Sequence, residues 1–270
     1  MVKTSILVAG AGGRMGRAVV AEILKTPGAS LAGGFERPGG PAVGKDIGVL
    51  AGLDALGLEI EDAAEKGLAR AGALIDFTAP AVSVHNAKAA AKEGVAHVIG
   101  TTGFSAEDEA AIAEAAKAVP VVKSGNMSVG VNILTALVEK AAKALGEDYD
   151  IEIFEAHHRA KVDAPSGTAL MLGRAAARGR GADFEAKRAD ADRTGKREAG
   201  DIGFSVMRGG GIVGEHRVAF AGMQEVITLS HSAIDRGLFA QGAVTAARWA
   251  MDQPPGLYSM RDVLGLDGDG

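Results

Sequence analysis

In the first half of the chain, short apolar runs closed by glycine alternate with longer segments whose apolar residues recur at helical spacing. Residues 5–9 have the pattern of a buried strand, and Met15, Val19, Ile23 and Leu24 then make one stripe of a helix over Arg14–Lys25. Pro27 and Gly28 stop that helix, and residues 31–35 predict a second strand ending at Glu36 and Arg37. Residues 38–57 are rich in Gly and Pro and read as loop. Strand patterns return at 73–77, 95–99 and 121–122. Between them lie a helix opened by Pro80 and closed by Gly94, and one running to about 118 whose Ser105 and Asp108 have capping-box spacing. Strands alternating with helices at this pitch imply βαβ units, hence an α/β fold on a Rossmann-like parallel sheet.

Beyond Gly125 the pattern changes. A long helix over 129–145 precedes an Ile-Glu-Ile alternation at 151–156, which marks a half-exposed strand. A short helix over 168–178 follows, and residues 184–200, charged and punctuated by glycine, read as a mobile loop. Patterns at 204–207, 217–220 and 225–231 predict consecutive antiparallel strands. A helix over 239–250 and a tail to 266 close the chain. That helix has no strand partner near it in sequence and can pack back on the first domain. The second half is therefore a β-rich, α+β insertion flanked by helices, with a mixed or antiparallel sheet.

Composition narrows the function classes. The chain has 270 residues, room for two domains at roughly 150 each. Aromatics are 4 % with a single Trp, too few for a protein that stacks single-stranded bases. A net charge of -5 argues against nucleic-acid or anionic-membrane partners, though not against a locally basic pocket. The absence of cysteine removes disulfides, thiolate catalysis and thiolate metal sites. No apolar run approaches the roughly 20 residues that span a bilayer, and the first eight residues lack a signal peptide's long apolar core, so the expected compartment is the cytoplasm.

Gly10-Ala11-Gly12-Gly13-Arg14-Met15-Gly16 lies between the first strand and the first helix. Small residues there let the backbone approach a pyrophosphate, and the helix start offers free N–H groups and a positive dipole end. Glu36, 20 residues after Gly16, stands where an acidic side chain binds the adenine ribose hydroxyls. Its carboxylate repels a 2′-phosphate, whereas Arg37 beside it pairs with one or stacks on adenine; use of both NADH and NADPH is therefore expected. A solvated Arg37 is the bland alternative. The loops Gly100-Thr101-Thr102-Gly103-Phe104 and Ser124-Gly125-Asn126-Met127 follow strand ends, where ligands of open parallel sheets lie.

The segment at 155–168 packs His157, His158, Arg159 and Lys161 into five positions of a chain with negative net charge. It leads into Pro165-Ser166-Gly167-Thr168, read as a helix start with Pro165 in its first turn. A helix end with free N–H groups and a cationic cluster suits a substrate with two carboxylates. A solvated basic loop is the other reading. Adjacent histidines diverge and no third helix-spaced ligand is present, so no metal site is expected. His216 and His231 can approach the same site or simply satisfy strand contacts.

The glycine loop, Gly100-Thr-Thr-Gly-Phe104, Asn126-Met-Ser-Val-Gly130, Glu155-Ala-His-His-Arg-Ala-Lys-Val-Asp-Ala-Pro-Ser-Gly-Thr-Ala169, Arg208-Gly-Gly-Gly-Ile-Val-Gly-Glu-His216 and Met260-Arg-Asp-Val-Leu264 together resemble the 4-hydroxy-tetrahydrodipicolinate reductase family, in family order over residues 4–266. The resemblance implies a dinucleotide-binding domain over 1–126 and 239–270, and a substrate-binding domain over 127–238 that forms a homotetramer through its sheet. It implies NAD(P)H-dependent reduction of a small dicarboxylate heterocycle with loss of water, in lysine synthesis through diaminopimelate. By motif position, His157 is the proton donor/acceptor, Lys161 a second proton donor, and His158, Gly167 and Thr168 substrate contacts. Gly10, Ala11, Gly12, Gly13, Arg14, Met15, Glu36, Arg37, Gly100, Thr101, Thr102, Ser124, Gly125, Asn126 and Met127 are implied cofactor contacts. Lys123 departs from the small apolar residues that members often carry there. Hydride and proton donors then sit on different domains, so closure of one on the other is expected. The rival readings are another imine or amino-acid dehydrogenase on this scaffold, which would lack the His-His-x-x-Lys run, and a non-catalytic NAD(P) sensor, which would not need Lys161.

Overall fold

The computed structural model describes residues 4–189 and 194–266, and every structural statement below concerns these residues. The chain divides into two compact units, Met1–Val129 with Gly237–Gly270, and Gly130–Arg236.

In the first unit, β1 (Thr4–Ala9), α1 (Arg14–Lys25), β2 (Ala29–Phe35), α2 (Ile47–Leu50), α3 (Glu65–Leu68), β3 (Ala73–Asp76), α4 (Pro80–Glu93), β4 (Ala96–Ile99), α5 (Ala106–Ala115) and β5 (Pro120–Lys123) follow one another. The closing segment adds α9 (Gly237–Ala250), β11 (Gly256–Tyr258) and α10 (Met260–Val263). The six strands lie in the order β11-β5-β4-β3-β1-β2, all parallel. Both faces of such a sheet must be covered, and alternate residues go to opposite sides. Ile6, Val8, Ile75, Val98 and Val122 pack against α1 and α9. Leu7 and Leu74 face the α3 side, and Ile99 and Val121 meet α5. Ala9, Asp76, Ile99 and Lys123 are in register at the carboxyl ends, so four loops leave the sheet level with each other.

The second unit holds α6 (Val129–Leu145, its first residue in the other unit), β6 (Asp150–His157), α7 (Gly167–Arg180), α8 (Phe184–Lys187), β7 (Arg188–Ala189), β8 (Ile202–Arg208), β9 (Gly214–Ala221) and β10 (Val226–Ala233). Its sheet runs β10-β9-β6-β8-β7 and is mixed. One face carries Ile151, Ile153, Phe204, Val218 and Phe220 beneath Leu134, Val138 and Leu172 of the two long helices. The alternation at 151–157 thus turns odd positions inward, Glu155 and His157 among them.

Five local expectations need correction. Residues 38–57 contain α2, because the Asp46 carboxylate accepts N–H bonds from Val49, Leu56 and Gly57 and ties the loop around a helical turn. Within 184–200, residues 184–189 are not loop: Phe184 is buried edge-on to Phe204, and β7 adds to β8. Residues 190–193 lie outside the described residues. The strands at 204–207 and 217–220 are not antiparallel neighbours, because β6 lies between them, parallel to β8 and antiparallel to β9. Helix α7 provides the crossover that parallel pairing of β6 and β8 requires. Pro165 precedes the Ser166 N-cap instead of sitting in the first turn; its peptide bond with Ala164 is cis. Finally, α9 does have a strand close by in sequence, since β11 pairs with β5 within the tail.

Candidate active site

The first unit presents its strand ends as a candidate cofactor edge. Gly10 ends β1 with φ +63°, a left-handed conformation that glycine adopts without strain. A Cβ at Gly16 would collide with the Gly10 carbonyl oxygen, so α1 starts flush against the strand. Gly13 is its N-cap residue, and Arg14 and Met15 occupy its first turn. Glu36 follows β2, and its Oε1 accepts the Gly12 N–H at 3.2 Å. A cavity of about 470 Å³ opens here, lined by Gly10, Phe35, Glu36, Arg37, Thr78 and His85. A second, of about 290 Å³, is lined by Gly12, Gly13, Arg17, Glu36, Arg37 and Lys45. Bare glycine backbone at a helix start, one carboxylate and a fringe of cations fit a dinucleotide.

The other loops of this edge are braced from below. Asp76, fully buried, accepts the Thr78 N–H at 2.8 Å, the Thr78 hydroxyl at 2.6 Å and an Asn86 N–H at 2.8 Å. The Gly100 N–H bonds the Asp76 carbonyl at 2.8 Å, and the buried Thr101 hydroxyl accepts from Ser83 at 2.8 Å. Thr101 therefore turns its side chain into the protein, while Thr102 is exposed. The Ser124 N–H bonds the Ile99 carbonyl, and the Asn126 Oδ1 accepts from Ser128 N–H. Met127 is buried, and a Cβ at Gly242 of α9 would strike its carbonyl oxygen. Lys123 is held by both Glu109 oxygens, at 2.5 and 2.6 Å, with its ammonium 5.3 Å from the Phe104 ring centre, so its charge is spent on α5 and the Phe104 loop.

In the second unit, the turn from β6 to α7 gathers His157, His158, Lys161, Gly167 and Thr168. His157 points inward, and its Nδ1 lies 2.5 Å from the Glu155 carboxylate. His158 points outward, its Nε2 3.3 Å from the Arg236 guanidinium. Lys161 pairs with Asp163 at 2.9 Å. The Ser166 hydroxyl caps α7 by accepting the Ala169 N–H and also meets His216 Nε2 at 3.2 Å. Arg208 grips Glu155 with two parallel bonds of 2.8 Å each.

Burial pushes the Glu155 carboxyl up, but the Arg208 fork, His157 and the Ser166 N–H outweigh it and hold the group below its ordinary range. Burial lowers the pKa of His157; Glu155 opposes this, while Lys161 and Arg208 reinforce it. Burial, with His157 nearby, brings His216 down to about 4. The turn is thus a cationic surface over a buried network that favours neutral imidazoles.

Sequence reading singled out the motif but gave no role to Glu155, Ser166, Arg208 or Arg236. For Glu155 the signal was present: it shares the inward period of Ile151, Ile153 and His157. Arg208 could not be read, because only the parallel pairing of β8 with β6 sets it opposite His157.

A glycine turn on a parallel sheet, an acidic residue closing its second strand and a separate cationic turn define a nicotinamide-dinucleotide oxidoreductase of two units. More narrowly, the models of the dihydrodipicolinate reductase N-terminus and C-terminus match residues 4–127 and 130–264, and the chain belongs to that family. It is 53 % identical over 263 residues to the 4-hydroxy-tetrahydrodipicolinate reductase of Rhodopseudomonas palustris strain HaA2, covering 97 % of each chain. It is 54 % identical over 266 residues to that of Brucella abortus strain 2308, covering 97 % of this chain and 99 % of the relative. The dipicolinate-bound dihydrodipicolinate reductase of Paenisporosarcina sp. TG-14 shares the fold, with TM-score 0.77, 20 % identity and coverage of 95 % and 97 %.

Proposed function

We infer that the chain reduces (2S,4S)-4-hydroxy-2,3,4,5-tetrahydrodipicolinate to (S)-2,3,4,5-tetrahydrodipicolinate with NAD(P)H and loss of water, in lysine synthesis through diaminopimelate. The observation that carries this is the basic turn of the second unit, with His157, His158 and Lys161 leading directly into the capped start of α7. Two carboxylates on a small ring match the start of α7 at one end, where the Asp163 carboxylate takes the Gly167 N–H in this structure, and the cations of the turn at the other.

When bound, the dinucleotide would supply the hydride. Gly10 to Met15 would hold its pyrophosphate, Glu36 and Arg37 its adenine ribose, and the loops 100–102 and 124–127 its nicotinamide end. Hydride addition to a conjugated imine leaves negative charge on the ring, which a proton must quench. Lys161 carries that proton as an ammonium ion. His157 exchanges a proton, and the substrate's own double negative charge raises the basicity that burial lowers.

Use of both nucleotides is supported by Glu36 and Arg37 lining the same two cavities, the carboxylate suited to ribose hydroxyls and the guanidinium to a 2′-phosphate. Homotetramer formation is supported by the second sheet, whose helix-free face holds the partly exposed Phe154 and the exposed Met207 and whose edge strand β10 starts with exposed Val226. Cytoplasmic residence is part of the same proposal.

The experiment is NAD(P)H oxidation on adding freshly made product of the preceding synthase. Turnover with each nucleotide is expected; none with either would refute the assignment. More than a hundredfold preference in kcat/KM would refute dual use alone, and a mass other than four chains in solution would refute the tetramer.

A further inference from the structure

Beneath the basic turn, one carboxylate is saturated. Glu155 is fully buried, and its two oxygens face four nitrogen groups: both terminal guanidinium nitrogens of Arg208 at 2.8 Å, the Ser166 backbone N–H at 3.0 Å and His157 Nδ1 at 2.5 Å. A carboxylate has about four acceptor positions. Arginine and a backbone amide can only donate and fill three of these positions; the paired Arg208 charge keeps the carboxyl ionised, so the fourth position also accepts and Nδ1 carries the hydrogen. Nε2 is then the unprotonated nitrogen of the neutral ring. It lies over Gly214, where a Cβ would stand 3.2 Å from it, so the missing side chain keeps that edge of the imidazole open.

We propose that Glu155 is a positioning residue, which locks His157 in the Nδ1–H tautomer so that Nε2 is the atom that exchanges a proton, and which fixes the ring to the start of α7 through Ser166. The proposal rests on the reading of His157 as the proton donor/acceptor. A second-sphere carboxylate of this kind sets ring orientation, tautomer and the stability of the imidazolium together. Arg208, from β8, holds the carboxylate itself and also bonds the Asp163 carbonyl at 2.6 Å, so the turn bearing Lys161 hangs from the same anchor. The groups facing His157 are Glu155 from its own strand, Lys161 from the turn, Arg208 from β8 and His216 from β9, with rings 5.2 Å apart; His231 of β10 lies beyond His216.

The test pairs ¹⁵N-histidine spectra of the full chain with kinetics. Of six histidines, His157 is identified by the resonance lost in His157→Asn. The wild-type ring should show Nδ1 protonated and Nε2 bare at neutral pH. In Glu155→Gln an amide N–H replaces an acceptor, so the tautomer should reverse. Turnover should then fall about a hundredfold or more while the dissociation constant for pyridine-2,6-dicarboxylate changes only a few-fold. Loss of the carboxylate also lowers the imidazole's proton affinity, so the His157 limb of the pH profile should move to lower pH. Gly214→Ala leaves Glu155 untouched and crowds Nε2; it should lose turnover with the tautomer unchanged.

A wild-type ring protonated at Nε2 overturns the proposal. So does wild-type turnover in Glu155→Gln or Gly214→Ala, or a Glu155→Gln defect shared equally between turnover and dicarboxylate binding with no change of tautomer. Should Glu155→Gln fail to fold, the wild-type spectrum and Gly214→Ala decide. Absence of wild-type turnover with synthase product would refute the activity, whereas the spectrum tests the tautomer regardless.

Discussion

At the residue scale, Lys161 and His157 share one turn but have different surroundings. Lys161 is partly open to solvent beside Asp163, whereas His157 is buried against Glu155. On the proposed mechanism, Lys161→Ala should cut kcat by about 10²–10⁴-fold, with much less effect on the dissociation constant of NADH, read by fluorescence titration. His157→Ala should do likewise; unimpaired turnover in either variant would refute its role. Arg37→Ala should raise KM for NADPH about tenfold and leave that for NADH within a few-fold, the loss expected for one charge-assisted contact to a 2′-phosphate. The clustering of His157, His158, Arg159 and Lys161 within five positions of an acidic chain was legible. Their orientation was not. The adjacent His157 and His158 face opposite sides of β6, and only the strand's inward period, anchored by Ile151 and Ile153, says which one is buried.

At the scale of elements, the start of α7 joins stability to the site. The Ser166 hydroxyl satisfies the Ala169 N–H, and its backbone N–H is one of the donors to Glu155. Ser166→Ala should cost about 1 kcal/mol, typical of a lost N-cap, and lower the Tm of the cooperative transition by about 2–4 °C in calorimetry. An unchanged Tm would mean that a neighbour replaces the cap. Long periodic helices were readable: α1 begins at Arg14 and ends at Lys25, as its stripe predicts, and α6 spans Val129–Leu145. What escaped was short or non-local. The four residues of α2 carry no period, and a side chain ten positions along the loop from Leu56, Asp46, holds them. Two-residue β7 exists only because β8 offers it an edge.

At the scale of the whole molecule, buried ionisable groups set the acid response. His216 titrates at about 4 when folded against 6.5 when unfolded, so between these values the unfolded chain binds more protons. Its contribution is fully present above pH 6.5 and is lost as pH falls toward 4, a difference of up to about 3 kcal/mol. His157 acts in the same direction. Denaturant titrations across this window should show a shallower acid loss for His216→Asn than for the parent chain; an unchanged slope would mean that His216 titrates normally. The parallel sheet and its helical layers were legible from the alternation of patterns, whereas the strand order of the second sheet was not, since pairing partners are chosen by crossover geometry and not by local sequence.

The first unit has a further property: it is interrupted. Its sheet is completed by β11, and the face of Val98 and Val122 is covered by α9, yet both elements come after the entire second unit in the chain. A ribosome delivers residues in order, so the cofactor-binding half cannot close when its first five strands emerge. It waits with the α9 part of one apolar face bare, α1 covering the rest, until residues 237–258 are released. A stop codon near residue 237 would therefore leave a sticky fragment, not a smaller working domain.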